Sequence, residues 1–181
     1  MGSENIFKGR NKKGFKTQYM KYLITGGCGF IGSNLAAEVL KRGEELVVFD
    51  NLFRFGSGLN LEWLKQKGEF KYYPFDIRNL NDIETVIKEE QPDVVFHLAA
   101  IHFIPACEND PSNALRINVE GTQNVINLAT ECSVNKIVFA SSSSVYGANT
   151  SLPFKENTIA ELLERLNAEI QNPKDSVHKI V

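Results

Sequence analysis

The stretch Lys21-Tyr22-Leu23-Ile24-Thr25-Gly26-Gly27-Cys28-Gly29-Phe30-Ile31-Gly32 decides how the rest of the chain reads. Residues 21–25 are a short apolar run of β type. Residues 31–42 then place Ile31, Leu35, Val39 and Leu40 at helical spacing until Gly43 stops them. Gly26, Gly29 and Gly32 occupy the turn between strand and helix. Gly26 permits a tight exit from the strand, Gly29 lets the backbone approach a pyrophosphate, and Gly32 lets the helix pack close to the sheet. The helix N-terminus adds free N–H groups and a partial positive charge at the phosphates.

Working outward, residues 45–49 (ELVVF) form a second apolar run closed by Asp50-Asn51, and Asp50 stands 18 residues after Gly32. A carboxylate there can accept from the adenosine ribose hydroxyls and repels a 2′-phosphate, which selects NAD over NADP. Further strands are expected near 70–74, at 93–97 (DVVFH) and at 136–140 (KIVFA). Helices are expected near 59–67, at 80–90 and at 112–131. Apolar strands alternating with helices mean βαβ units and a parallel sheet buried on both faces. The expected fold is therefore α/β, a Rossmann-type doubly wound parallel sheet, here truncated after about five or six strands.

Composition agrees with a single such domain. The chain has 181 residues, 43% hydrophobic and 23% charged, which fits a globular protein and not a disordered one. A net charge of −2 and a pI near 6.0 provide no basic field for nucleic acid or a membrane surface. No apolar run is long enough to span a bilayer. Cys28, Cys107 and Cys132 are odd in number, far apart and outside any CxxC pattern. They argue against a disulfide framework or a metal site, and for a reducing, cytoplasmic compartment. Residues 1–19 are set apart: Lys8, Arg10, Lys12, Lys13 and Lys16 face one acid, Glu4, and no apolar period runs through them. They read as a solvated basic tail, or as an extension upstream of a second start at Met20.

The motifs TGGCGFIGSNL, Asp50-Asn51, DIRN (76–79), FHLAA (96–100), INVEGT (117–122) and SSSSVYG (141–147) occur in an order that resembles the extended short-chain dehydrogenases. The resemblance is to the NAD-dependent epimerase/dehydratases of nucleotide sugars and covers about residues 20–158. It implies that Phe30 and Ile31 touch the pyrophosphate through their N–H groups and that Asn51 flanks the adenosine ribose. Asp76 and Ile77 would hold the adenine, the carboxylate accepting from its amine and the Ile packing on its face. Leu98, Ala99 and Ala100 would line the middle of the cofactor, and Asn118 would sit beneath the fifth strand and help fix the active-site backbone. Several relatives carry Lys at the position of His102, which either contacts the cofactor or faces solvent. Ser142, in a register open by one residue, would hydrogen-bond the sugar oxygen being oxidised. The family commonly pairs through a helix bundle to which 112–131 would contribute.

The chain departs from the family after this point. The family's catalytic base is a Tyr followed four residues later by a Lys, about 25 residues beyond the Ser. The Lys lowers the phenol pKa so that a phenolate takes the hydroxyl proton. That window holds Leu166, Asn167 and Gln171, and no tyrosine follows Tyr146. A diverged segment, 159–181, is expected instead, ending in a short strand or frayed tail. Its helix is capped by Thr158 and Glu161, carries Ile159, Leu162, Leu163, Leu166 and Ile170 on one face, and stops before Pro173. Its stripe serves either core packing or docking elsewhere. The sequence thus leaves three readings. The chain is an epimerase/dehydratase domain inactive alone, a non-catalytic NAD-binding module, or one part of a site completed by another polypeptide that supplies the Tyr, the Lys and the sugar domain. A nucleotide-linked sugar is the implied substrate of the complete form.

Overall fold

The computed structural model describes residues 19–142 and Pro153. It divides into two compact units, Met1–Phe139 and Ala140–Val181, each considered by itself. The basic tail, the Val-Tyr-Gly motif and the expected helix after Thr158 lie outside the described residues.

Alternation along three strands sets the architecture. In β1 (Lys21–Thr25), β2 (Glu45–Phe49) and β4 (Val94–His97), odd and even residues enter different cores. Tyr22, Ile24, Leu46, Val48, Val94 and Phe96 pack on one face with Ala36, Val39, Leu61 and Leu64. Leu23, Val47, Phe49 and Val95 pack on the other with Ile83, Val86, Ile87, Val125 and Leu128. Because successive strand side chains point to opposite faces, a continuous apolar run fills both at once. The first face is covered by α1 (Phe30–Lys41) and α2 (Ser57–Lys65), the second by α3 (Leu80–Glu90) and α6 (Thr122–Glu131). Each such Val, Leu or Ile contributes roughly 1.5–3 kcal/mol when withdrawn from water.

With β3 (Lys71–Tyr73) and β5 (Lys136–Phe139), the five strands run in the order β3-β2-β1-β4-β5 and pair in parallel throughout. One row of the register crosses the whole sheet: Tyr73, Phe49, Thr25, His97 and Phe139. Immediately beyond it come Asp50, Gly26 and Leu98. The strand order reverses at β1, so these residues stand at a topological switch point, where open parallel sheets form their ligand crevice.

Two elements differ from expectation. Residues 103–110 contain an unforeseen helix, α4 (Ile104–Asn109), with Pro105 in its first turn. The expected helix at 112–131 is not uniform. It starts as α5 (Pro111–Leu115), widens into one π-helical turn across Arg116–Gly121, and continues as α6. Asp110 caps its start, accepting from Asn113 N at 3.0 Å. One turn is too short a stretch for an apolar period to separate a π turn from an α turn.

The other end of the sheet is tied by Glu90, which is 3% exposed. Its carboxylate accepts from Tyr73 Oη at 2.6 Å, Lys71 Nζ at 2.8 and 3.0 Å, and Lys21 Nζ at 3.3 Å. Burial pushes its pKa up, but hydrogen bonds from Lys71, Tyr73 and Lys21 outweigh this and hold it below the ordinary value. Replacing one member of a buried pair leaves the others uncompensated. Glu90→Ala is therefore expected to lower stability by about 1.5–3 kcal/mol in a urea titration, the range for losing hydrogen bonds to a charged group. An unchanged midpoint would show that the carboxylate is dispensable.

Candidate functional site

Gly26 is where three strand ends meet. Its N–H donates to Phe49 O at 2.8 Å, closing β1 against β2. Its φ is +70°, and a Cβ there would lie 2.7 Å from Ala99 N and 2.9 Å from Leu98 C. Only a residue without a side chain permits both the left-handed turn and the contact with the chain leaving β4. A Cβ on Gly32 would lie 2.1 Å from Gly26 O and 2.8 Å from Gly27 Cα, so its lack of a side chain lets α1 start hard against the turn that leaves β1. Gly29 N donates to Gly26 O at 3.0 Å and Ser33 N to Gly29 O at 2.9 Å, completing the turn.

Cys28 anchors this loop. Its backbone N–H donates to Asp50 Oδ2 at 2.9 Å, and its carbonyl accepts from Asn60 Nδ2, on α2, at 2.9 Å. Its thiol is buried in the first core, where desolvation, reinforced by Asp50, pushes the pKa up to about 12. The thiol is protonated and inert. Asp50 Oδ1 accepts from Leu52 N at 2.8 Å, and Tyr72 Oη donates to the Asp50 carbonyl at 2.9 Å. Each carboxylate oxygen thus accepts one bond and keeps a further acceptor position. No side chain caps α1 and no acid sits in its first turn, so its leading N–H groups suit an external anion. Phe30 and Ile31 are exposed there. This open cradle beside a half-satisfied carboxylate fits a dinucleotide.

The 76–78 loop is less open than the motif suggested. Asp76 Oδ1 accepts from Arg78 N at 2.9 Å and Arg78 Nε at 3.0 Å; Oδ2 accepts from Arg78 Nη2 at 2.7 Å and Asn51 Nδ2 at 2.8 Å. Hydrogen bonds from Arg78, against the effect of burial, hold its pKa at about 2. All four acceptor positions of the carboxylate are filled, so accepting from an adenine amine requires one donor to withdraw. The Ile77 side chain, expected on an adenine face, is buried in the second core against Gly121 of the π turn, where a Cβ would lie 2.7 Å from Ile77 Cδ1. Its backbone remains at the loop, with Asn124 Nδ2 donating to its carbonyl at 3.4 Å.

The π turn also holds the loop after β4. Asn118 Oδ1 accepts from Ile101 N at 2.9 Å, and its Nδ2 donates to Ile101 O at 2.8 Å. The backbone that Asn118 fixes is thus that of Ile101, between β4 and α4. Leu98 N donates to Thr25 O at 3.0 Å, and Ala99 N reaches Thr25 Oγ1 at 3.3 Å. Leu98 and Ala99 are half-buried, whereas Ala100 and His102 are exposed. Ser142 lies three residues past the end of β5, in the second unit.

Sequence reasoning passed over His97, Thr25, Thr122, Asn60 and Arg78. His97 is 1% exposed, its Nδ1 lies 2.7 Å from Thr25 Oγ1, its Nε2 lies 2.9 Å from Thr122 Oγ1, and its ring stacks on Phe139. Burial lowers its pKa to about 4. The available signal was a histidine ending an otherwise apolar strand.

Comparison with known proteins agrees with this geometry. Residues 22–168 match the NAD dependent epimerase/dehydratase family. The chain is 44% identical over 129 residues to CDP-paratose 2-epimerase of Salmonella typhi, covering 71% of this chain and 38% of that protein. It is 35% identical over 140 residues to UDP-glucuronate 4-epimerase of Thermodesulfobacterium geofontis, covering 75% and 43%. The structure of the UDP-Glc/GlcNAc 4-epimerase from Campylobacter jejuni superposes with a TM-score of 0.72 at 27% identity, over 85% of this chain and 50% of that one. The parallel sheet, the glycine turn and these matches make the chain a member of the NAD-dependent epimerase/dehydratase family. It spans half or less of the length of these relatives.

Two outcomes test this site. Gly32→Ala places a methyl group inside backbone contact distance and is expected to cost about 3 kcal/mol or more in chemical denaturation. His97 binds a proton more readily unfolded, near pH 6.5, than folded, near 4. Its contribution to stability is therefore intact above the unfolded value and lost as pH falls through that window, by on the order of 3 kcal/mol. Comparing pH–stability curves of the native chain and His97→Gln isolates it, and parallel curves would remove the buried neutral imidazole from the account.

Proposed function

We propose that the chain is the NAD-binding part of an epimerase or dehydratase acting on a nucleotide-linked sugar. The carrying observation is Asp50, whose carboxylate clasps the Cys28 amide at the mouth of α1 while retaining acceptor capacity. In this reading the Phe30 and Ile31 amides bind the pyrophosphate, and Asp50 with Asn51 takes the adenosine ribose. Asp50 also repels a 2′-phosphate, which favours NAD over NADP. The backbone at Asp76 and Ile77 borders the adenine, and Leu98, Ala99 and Ala100 leave room along the cofactor's middle. Bound NAD supplies reversible hydride acceptance from a sugar hydroxyl. By the family resemblance, Ser142 would hydrogen-bond that hydroxyl's oxygen.

Proton removal needs a further group. The window about 25 residues beyond Ser142 holds Leu166, Asn167 and Gln171 and no tyrosine, and a positioned acid–base residue contributes about 10²–10⁴ in rate. Turnover therefore depends, in this proposal, on another segment or polypeptide that carries the base and the sugar site. The same observation favours a second reading, an NAD-binding module without its own chemistry. Three free cysteines suit a reducing cytoplasm, and exposed Leu115, Val119 and Ile126 along 111–131 suit pairing of two copies through that helix.

Calorimetric titration with NAD and NADP tests the proposal. Micromolar NAD binding is expected, with NADP at least tenfold weaker. Asp50→Ala should weaken NAD by tenfold or more and narrow the discrimination. A folded chain that binds neither dinucleotide would overturn both readings.

A further inference from the structure

Thr25, His97 and Thr122 come from three elements: β1, β4 and the first turn of α6. Their polar atoms form an unbroken series: Ala99 N to Thr25 Oγ1 at 3.3 Å, Thr25 Oγ1 to His97 Nδ1 at 2.7 Å, and His97 Nε2 to Thr122 Oγ1 at 2.9 Å. The direction of each bond follows from what each group can give. An amide N–H only donates, so Thr25 Oγ1 accepts from Ala99. Thr25 and His97 are both 1% exposed, and the hydroxyl's single hydrogen, kept from water, has His97 Nδ1 as its acceptor. Nδ1 must then be bare, so a neutral ring carries its proton on Nε2 and donates it to Thr122 Oγ1. The side chains packed on the imidazole, Thr25, Thr122 and Phe139, are uncharged, and none of them stabilises an imidazolium.

We infer that His97, as the Nε2–H tautomer, is a positioning residue that draws the Thr25 hydroxyl hydrogen to its Nδ1, so that an Oγ1 lone pair faces the Ala99 amide and holds the Leu98–Ala100 wall of the cofactor crevice. The consequence is a division of labour along one loop. Asn118 grips Ile101, at the far end of the stretch, while the imidazole relay grips Ala99 at its start. Both anchors end on the same helix, since Asn118 and Thr122 are four residues apart across the π turn. Gly26 packs against Ala99, so any drift of that amide also reaches the glycine turn. The role in cofactor binding rests on the reading given under Proposed function; the tautomer and the grip on Ala99 do not.

Two measurements on the whole chain test this. Nitrogen-15 NMR of the imidazole at pH 7 should show a neutral ring with Nε2 protonated and Nδ1 bare; an Nδ1–H tautomer or a charged ring overturns the relay. Amide hydrogen exchange should then show Ala99 exchanging at least tenfold faster in Thr25→Val, with Ile101 and the strand amides unchanged and Thr25→Ser restoring protection. Uniform acceleration of all amides, or an unchanged Ala99, overturns the positioning role and leaves the three residues as ordinary core. NAD affinity of the same variants should fall by about tenfold in Thr25→Val and recover in Thr25→Ser. A native chain that shows the tautomer and the exchange pattern but binds no NAD would defeat the functional reading while upholding the relay as a structural grip. Native binding with equal affinity in Thr25→Val would defeat its link to the cofactor.

Discussion

The close approach of three backbones at Gly26 is the constraint from which the rest of this molecule follows. One N–H bonds to Phe49 O, and the absent side chain leaves room for the chain leaving β4. Had that position carried a Cβ, β1 and β4 could not leave the sheet side by side. The Asp50 carboxylate would then lose the Cys28 amide that it clasps. The loop is consequently held by backbone contacts, and its outward face stays open for a ligand.

A second theme is how much of the site is controlled from behind. From the helical stretch 111–131, Asn113 accepts from Arg78 at 2.7 Å, Gly121 meets Ile77, Asn118 grips Ile101 and Thr122 Oγ1 lies 2.9 Å from His97 Nε2. Three of these contacts reach the 76–78 loop and the loop after β4, and the fourth reaches the end of β4 itself. The π turn helps explain this economy, because widening one turn shifts the angular spacing of the residues on either side of it. The cost is a less regular helix, tolerated because the apolar stripe Val125, Leu128 and Ala129 remains buried in the second core.

Charge is placed with equal consistency. Polar groups that must be buried are paired: Glu90 with two lysines and a tyrosine at one end of the sheet, Asp76 with Arg78 and Asn51 at the other. His97 and Cys28 are buried without an ionic partner, and burial keeps both neutral. Asp50 differs from Glu90 and Asp76 in retaining acceptor capacity beside a helix N-terminus.

The amino-acid sequence by itself determined the strand–helix alternation, the parallel sheet and the glycine turn, because period-2 and period-3.6 burial and the need for φ above zero at Gly26 are local properties. It also singled out Asp50, whose position after a buried strand is a spacing. Its motifs carried the family. It did not reveal that Gly32 lies against the Gly26 carbonyl, that Ile77 turns inward, or that Asp76 is saturated. Each of these depends on which backbone or side chain arrives from elsewhere in the chain: Gly26 O, Gly121, Arg78 and Asn51. The π turn and the Thr25–His97–Thr122 series were hidden for the same reason. A hydrogen bond between residues 25, 97 and 122 has no sequence period, and only the register of β1 against β4, with α6 laid over both, brings their atoms within reach.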